Sequence, residues 1–167
     1  KYIPAFASTP VLKDRKGDPT KTEPQSTPLT VKHLLTYTSG LGYPFDYDPA
    51  LEMGFENILW PGLTIEQGVD YLATKPLLFQ PGKHWYYGFS GDVLGRLVEI
   101  WSGQPYNEFL QDRIFGPLGL EDIGYNIADD DWHRLAEVYA PGEDGGLVNA
   151  TARAPNINSY RANDTIF

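Results

Sequence analysis

Fourteen prolines and seventeen glycines are spread along the 167 residues, and they cut the chain into short stretches. Proline fixes φ and removes a backbone donor, so it ends or kinks a helix. Glycine weakens helices and strands and favours turns. Pro4, Pro10, Pro19, Pro24 and Pro28 forbid a long helix through residues 1–29. Charged and small residues lie between them, which reads as an exposed, irregular excursion. Hydrophobic residues make up 41% of the chain, enough to bury a core. The expectation is a single, loop-rich α+β domain.

Helical signals begin at Thr30, which can cap a short helix through His33, Leu34 and Leu35 that ends before Gly40. Residues 41–62 read as a long surface loop. Thr64 and Gln67 form a capping box, followed by Ile65, Val69 and Leu72 at helical spacing, with Lys75-Pro76 as the stop. Pro81-Gly82 predicts a turn. Ser90 can cap a helix whose apolar face is Val93, Leu94, Leu97, Val98 and Trp101, ending at Gly103. A further helix over Tyr106–Phe115 is expected to bury Phe109, Leu110 and Ile114. A strand is expected over Asp122–Ile127, a helical turn at Asp129–Asp131, and another strand near Val138 and Tyr139. The domain then divides into an irregular excursion (1–29), a helical core (30–140) and an irregular tail (141–167).

Several functions are disfavoured. The formal net charge of −9 argues against nucleic acid as a partner, because phosphate contacts need clustered Lys and Arg. Cysteine is absent, which removes disulfides, thiolate catalysis and Cys-based zinc sites. No run of about 18 apolar residues exists, so no membrane span is expected. His33, His84 and His133 have no metal-ligand spacing, and Asp129-Asp130-Asp131 lacks the glycine and terminal Glu of a calcium loop. Neither a metal nor another cofactor is expected.

Three segments, in order, carry a resemblance. The first is Leu34-Leu35-Thr36-Tyr37-Thr38-Ser39-Gly40-Leu41, similar to Leu-Leu-x-His-x-Ser-Gly-Leu. The second is Pro81-Gly82-Lys83-His84-Trp85-Tyr86-Tyr87-Gly88-Phe89-Ser90-Gly91-Asp92-Val93-Leu94-Gly95. The third is Ile114-Phe115-Gly116-Pro117-Leu118-Gly119-Leu120 with Asp122–Tyr125, similar to Ile-Phe-x-Pro-Leu-Gly-Met followed by Thr-Gly-Phe. Together they resemble the serine β-lactamase-related, penicillin-binding-protein-like hydrolases, in the esterase and transesterase branch. The resemblance covers roughly residues 28–140. It implies an α+β fold, of which this chain supplies mainly the helical subdomain with a small part of the antiparallel sheet region.

The resemblance also implies a mechanism with a Ser-x-x-Lys turn upstream, a Tyr in the middle and a Lys-Thr-Gly or His-x-Gly strand downstream. None of Ser8, Ser26, Ser39, Ser90, Ser102 and Ser159 has Lys three residues later. Lys21-Thr22-Glu23 has Glu where a small residue must admit substrate, and reads as solvated loop. The chain, starting at Lys1, is therefore expected to be an internal piece that lacks the nucleophile and is inactive alone.

The resemblance makes Tyr87, six residues after Pro81, the catalytic Tyr, with Tyr86 as its competitor. A free phenol has a pKa of about 10 and needs nearby ammonium groups to act as a base at neutral pH. Gly88, Phe89 and Tyr86 are expected beside the substrate, with Ser90 and Asp92 supporting. Ser90 reads as a helix cap, and Asp92 as a carboxylate at the positive helix end near the Tyr. Gly88-Phe89-Ser90-Gly91 misses the Gly-x-Ser-x-Gly elbow by one spacer. Tyr43, Phe45, Tyr47, Phe55 and Trp60 either line the acyl pocket or pack the loop down. Penicillin-recognising members carry Tyr-x-Asn, and Phe89 stands in the Asn position. A small neutral ester or amide is the expected partner, an ester ahead of a β-lactam. The alternatives are a β-lactamase or D-alanyl peptidase on the same fold, or a non-catalytic binding relic.

Overall fold

A computed structural model describes residues 1–43, 63–125, 127 and 129–150, apart from the side chains of Asp129 and Trp132. Phe45, Tyr47, Phe55 and Trp60 lie outside the described residues. A 3-10 turn over Pro4–Ala7 leads into a small hairpin of β1 (Val11–Leu12) and β2 (Thr22–Glu23). The helices are α1 (Val31–Leu35), α2 (Ile65–Ala73), α3 (Ser90–Ser102) and α4 (Tyr106–Leu110), which runs into a π-helical turn at Gln111–Phe115. A 3-10 turn at Asp129–Arg134 precedes a second antiparallel hairpin, β3 (Tyr139–Pro141) with β4 (Leu147–Asn149).

Two of the three expected N-terminal caps form, at Thr30 and Thr64, each with a reciprocal pair of bonds. His33 N–H donates to Thr30 Oγ1 at 3.4 Å and Thr30 N–H to His33 Nδ1 at 3.3 Å. Gln67 N–H donates to Thr64 Oγ1 at 3.2 Å and Thr64 N–H to Gln67 Oε1 at 2.9 Å. Each pair satisfies two backbone donors that the helix itself leaves open. Gly103 ends α3 in the left-handed conformation, as its position predicts.

The main core gathers Phe6, Val11, Leu34, Leu41, Ile65, Val69, Leu72, Leu77, Phe89, Val93 and Leu97. Helices α1 and α2 both pack on α3. Arg96 of α3 ties three helices together. Its guanidinium pairs with Glu66 of α2 and, at 3.0 Å, with Glu99, whose other oxygen accepts the N–H of Tyr106 in the first turn of α4.

Five expectations need correction. Residues 1–29 do not run free of the core: Phe6, Val11 and Leu12 are all buried. Leu77 N–H donates to Pro10 O and Leu12 N–H to Leu77 O, both at 2.8 Å, so β1 continues a ladder with a segment 65 residues away. Two consecutive apolar residues carry no periodicity, and their partner is distant, so the pattern could not announce them. Thr22–Glu23, read as loop, is the strand β2, with Val11 opposite Glu23 and Leu12 opposite Thr22. At Asp122–Tyr125 the chain bends instead of forming a strand, and Asp122 pairs with Arg134 at 2.9 Å. The helix from Tyr106 forms, but Phe109 and Leu110 are only half-buried and Ile114 is exposed. The tail also gains order, since Pro141 and Leu147–Asn149 belong to the second hairpin, while residues 151–167 lie outside the described part.

No helix among the described residues is long and apolar enough to cross a membrane. Leu77 is fully enclosed and joins β1 to the segment leading to Pro81-Gly82. Leu77→Ala should cost about 2–5 kcal/mol in urea unfolding, through lost burial and an unfilled cavity.

Candidate active site

The residues after α1 and those before α3 are laced by backbone hydrogen bonds, although neither forms a regular strand. Leu78 N–H donates to Gly40 O at 2.7 Å, Gly82 N–H to Thr38 O at 2.8 Å, Tyr86 N–H to Tyr37 O at 2.9 Å, and Phe89 N–H to Gly42 O at 3.2 Å. Two glycines make this approach possible. Gly40 has φ +85°, and a Cβ there would sit 2.5 Å from Phe79 O. At Gly88 a Cβ would lie 2.1 Å from Leu41 O and 2.8 Å from Gly42 O, so no side chain fits. Gly88 thus contributes backbone proximity at this site.

Buried hydroxyls seal the same seam. Ser39 Oγ and Ser90 Oγ lie 2.8 Å apart, both almost fully enclosed, and Leu41 N–H donates to Ser39 Oγ at 3.2 Å. Ser90 is therefore not the helix cap. The cap position of α3 is Phe89, without a side-chain bond, and Ser90 occupies the first helical position. Its hydroxyl turns inward because Ser39 offers a partner in a place where an unpaired polar group would be costly.

Tyr86 and Tyr87 diverge. Tyr86 packs edge-on against Phe79 at 6.3 Å and carries the Arg15 guanidinium 4.6 Å above its ring. A groove of about 490 Å³ opens on that side, walled by Arg15, Phe79, Lys83 and His84 among others. Tyr87 is not among its walls. Its ring instead stacks on Tyr37 (5.9 Å between centroids, 15° between planes) and meets the edge of Tyr43 at 5.1 Å. The Tyr87 side chain is 56% exposed. Phe89 lies beneath this group, 1% exposed in the main core, with Tyr43 5.0 Å away.

Asp92, in the first turn of α3, is half-buried. Burial pushes its carboxyl up to about 6, against a smaller opposing effect from its own backbone N–H. Tyr43 is raised as well, first by burial and then by the negative charge that Tyr87 and Asp92 would carry. The structure therefore gathers Tyr43, Tyr87, Phe89 and Asp92 into one cluster, places Gly88 and Ser90 in the seam beneath it, and sets Tyr86 apart. Sequence reasoning did not single out Tyr37. The signal was present, because Tyr37 is where the first segment departs from Leu-Leu-x-His-x-Ser-Gly-Leu.

The Beta-lactamase family model matches residues 1–158. Lovastatin esterase from Penicillium rubens is 36% identical over 129 residues, covering 77% of this chain and 32% of that protein. Among solved structures, unliganded simvastatin synthase from Aspergillus terreus superposes with a TM-score of 0.73 at 27% identity, over 99% of this chain and 41% of that one. A penicillin binding protein from Bacillus halodurans matches with a TM-score of 0.54 at 28% identity, over 74% of this chain and 37% of that one. The chain spans between 26% and 39% of the length of the curated relatives it matches. It belongs to the Beta-lactamase family, and its fold is part of the β-lactamase and penicillin-binding-protein-like α+β fold.

Two outcomes follow from this seam. Ser39→Ala should cost about 1–3 kcal/mol in chemical unfolding, since it strands the Ser90 hydroxyl and the Leu41 N–H, and the Ser39→Ala/Ser90→Ala pair should cost less than the sum of the single changes. For Asp92, the folded pKa lies above the unfolded value, so the native state holds its proton more tightly. Stability should be greatest below about pH 4 for this group and decline as pH rises toward about 6. Asp92→Asn should flatten that slope in unfolding curves taken between pH 4 and 7.

Proposed function

As a premise drawn from membership of the Beta-lactamase family, we propose that the protein carrying this chain is an acyl hydrolase or transesterase that works through an acyl-serine on small esters. The proposal rests on one observation: Tyr87, where the family resemblance puts the catalytic Tyr, is 56% exposed and its ring is stacked on Tyr37. An enclosed phenol could not reach a substrate.

In this mechanism a serine hydroxyl attacks the ester carbonyl carbon, and its proton passes to the Tyr87 oxygen. The C–O bond to the alcohol breaks, the proton goes to the departing alkoxide, and an acyl-serine remains. Water or an acceptor alcohol then attacks the acyl-serine, giving up a proton by the same route. The serine, and the lysine whose ammonium favours the phenolate, belong to a Ser-x-x-Lys turn that this sequence does not contain. This chain alone is accordingly expected to transfer no acyl groups.

The choice of ester over β-lactam is supported at position 89. An Asn there could offer an amide to an acylamino side chain, whereas Phe89 is buried and offers no polar group. Tyr43, which meets the edge of Tyr87, is the residue we assign to the acyl pocket, and Tyr86 holds the other face of its segment through Phe79 and Arg15.

Expressed from the complete gene, Tyr87→Phe should lower kcat on a short-chain aryl ester by about 10²–10⁴-fold, the range general acid–base catalysis contributes. The same enzyme should turn over that ester well ahead of a cephalosporin. Efficient cephalosporin hydrolysis without esterase activity would reverse the substrate assignment, and unchanged ester turnover in Tyr87→Phe would remove the phenol from the mechanism.

A further inference from the structure

We propose that Tyr37 is a positioning residue for the Tyr87 phenol; the inference rests on the reading above that Tyr87 carries the proton. A half-exposed aromatic on non-repetitive backbone exchanges rotamers on the picosecond-to-nanosecond scale unless neighbours restrain it. A proton-transfer group needs its oxygen held close to one place. Something must therefore restrain Tyr87, and Tyr37 holds it at two points. Its ring lies flat on the Tyr87 ring, and its carbonyl accepts the N–H of Tyr86, the residue immediately before Tyr87.

Tyr37 is itself firmly held. Its φ is +52°, the left-handed region that residues with a Cβ rarely enter. That conformation is fixed from both sides. Its N–H donates to Leu34 O at 3.1 Å, and the following residue, Thr38, donates to His33 O at 2.8 Å, which closes the end of α1. The left-handed residue turns the chain out of α1 and into the laced seam. A Tyr in this conformation is a choice of ring over backbone ease, since glycine would adopt it more readily.

Two further contacts fix the plane of the Tyr37 ring. Trp85 stands on it at 6.5 Å with 35° between the planes. At the hydroxyl end, α3 presents Gly91, where a methyl group would come within 3.2 Å of Tyr37 Oη. The bare α-carbon makes room for that hydroxyl against the first turn of the helix that carries Asp92. Tyr37 thus links the end of α1, the start of α3 and the Tyr87 ring, and it contacts no reacting atom in the proposed chemistry.

The test uses protein from the complete gene, with ring-labelled tyrosine for NMR and a short-chain aryl ester for kinetics; Y87F assigns the Tyr87 signals. In Y37L, which removes the stacking plane, the Tyr87 ring signals should lose their ring-current shift. In the same variant kcat should fall about 10- to 100-fold with KM little changed, the signature of a misplaced catalytic group. Y37F, which keeps the plane, should restore both. Tyr87 signals unmoved in Y37L would overturn the inference, as would full kcat in Y37L where Y87F is inactive. If Y87F retains activity, the proposed function fails, and the clamp stands or falls on the ring signals alone. Should Y37L fail to fold, G91A pushes on the Tyr37 hydroxyl from the helix side. It should shift the Tyr87 signals in the same direction, and unmoved signals there would count equally against the inference.

Discussion

Two stretches of backbone, one leaving α1 and the other entering α3, run so close together at Gly88 that no side-chain carbon fits between them. Four N–H to carbonyl bonds lace them, and a pair of enclosed hydroxyls, Ser39 and Ser90, fastens the lower edge. The rest of the arrangement depends on this contact. It places the C-terminal end of one helix beside the N-terminal end of another without a regular sheet. It also fixes where each side chain of 85–89 emerges. Loss of clearance at Gly88 or of a hydroxyl partner at Ser39 would act on the site through the backbone, with the aromatic rings untouched.

The divergence of Tyr86 and Tyr87 is a direct consequence. One ring goes to the Phe79 and Arg15 side, where it anchors the segment to the N-terminal hairpin. The other goes to the rings of Tyr37 and Tyr43. Burial raises the Asp92 carboxyl in the first turn of α3. A phenol acts as a base at neutral pH only where a cation favours its charged form. The mechanism proposed for the family member supplies that cation from the lysine of a Ser-x-x-Lys turn.

Helices α1 and α2 pack their apolar residues on α3, and Arg96 with its two glutamates joins α2, α3 and the start of α4 at their polar edge. Beyond α4 the picture changes. Ile114, Leu118, Leu120 and Ile123 are all exposed, and the described residues leave that surface uncovered. Trp101, counted on the apolar face of α3, is also half-exposed and meets the edge of the Tyr2 ring. An amphipathic pattern states that a face prefers burial, not which element covers it.

What could be read from the residues in order was local. Thr30 with His33, Thr64 with Gln67, and Gly103 mark helix ends because capping works within three or four residues, and these ends stand where they were expected. The three motif segments, in their order and spacing, led to the family. The position of Tyr87 six residues after a Pro-Gly turn came with them. Only the folded chain decided the rest, because each remaining feature is a meeting of distant residues. Leu12 joins Leu77 across 65 positions, Ser90 abandons a helix cap for Ser39 across 51, and Tyr37 lies against Tyr87 across 50. Short-range energies govern the first class of feature and are written in adjacent residues. The second class arises where two buried groups satisfy each other, and neither stretch of sequence alone carries the information that its partner will be there.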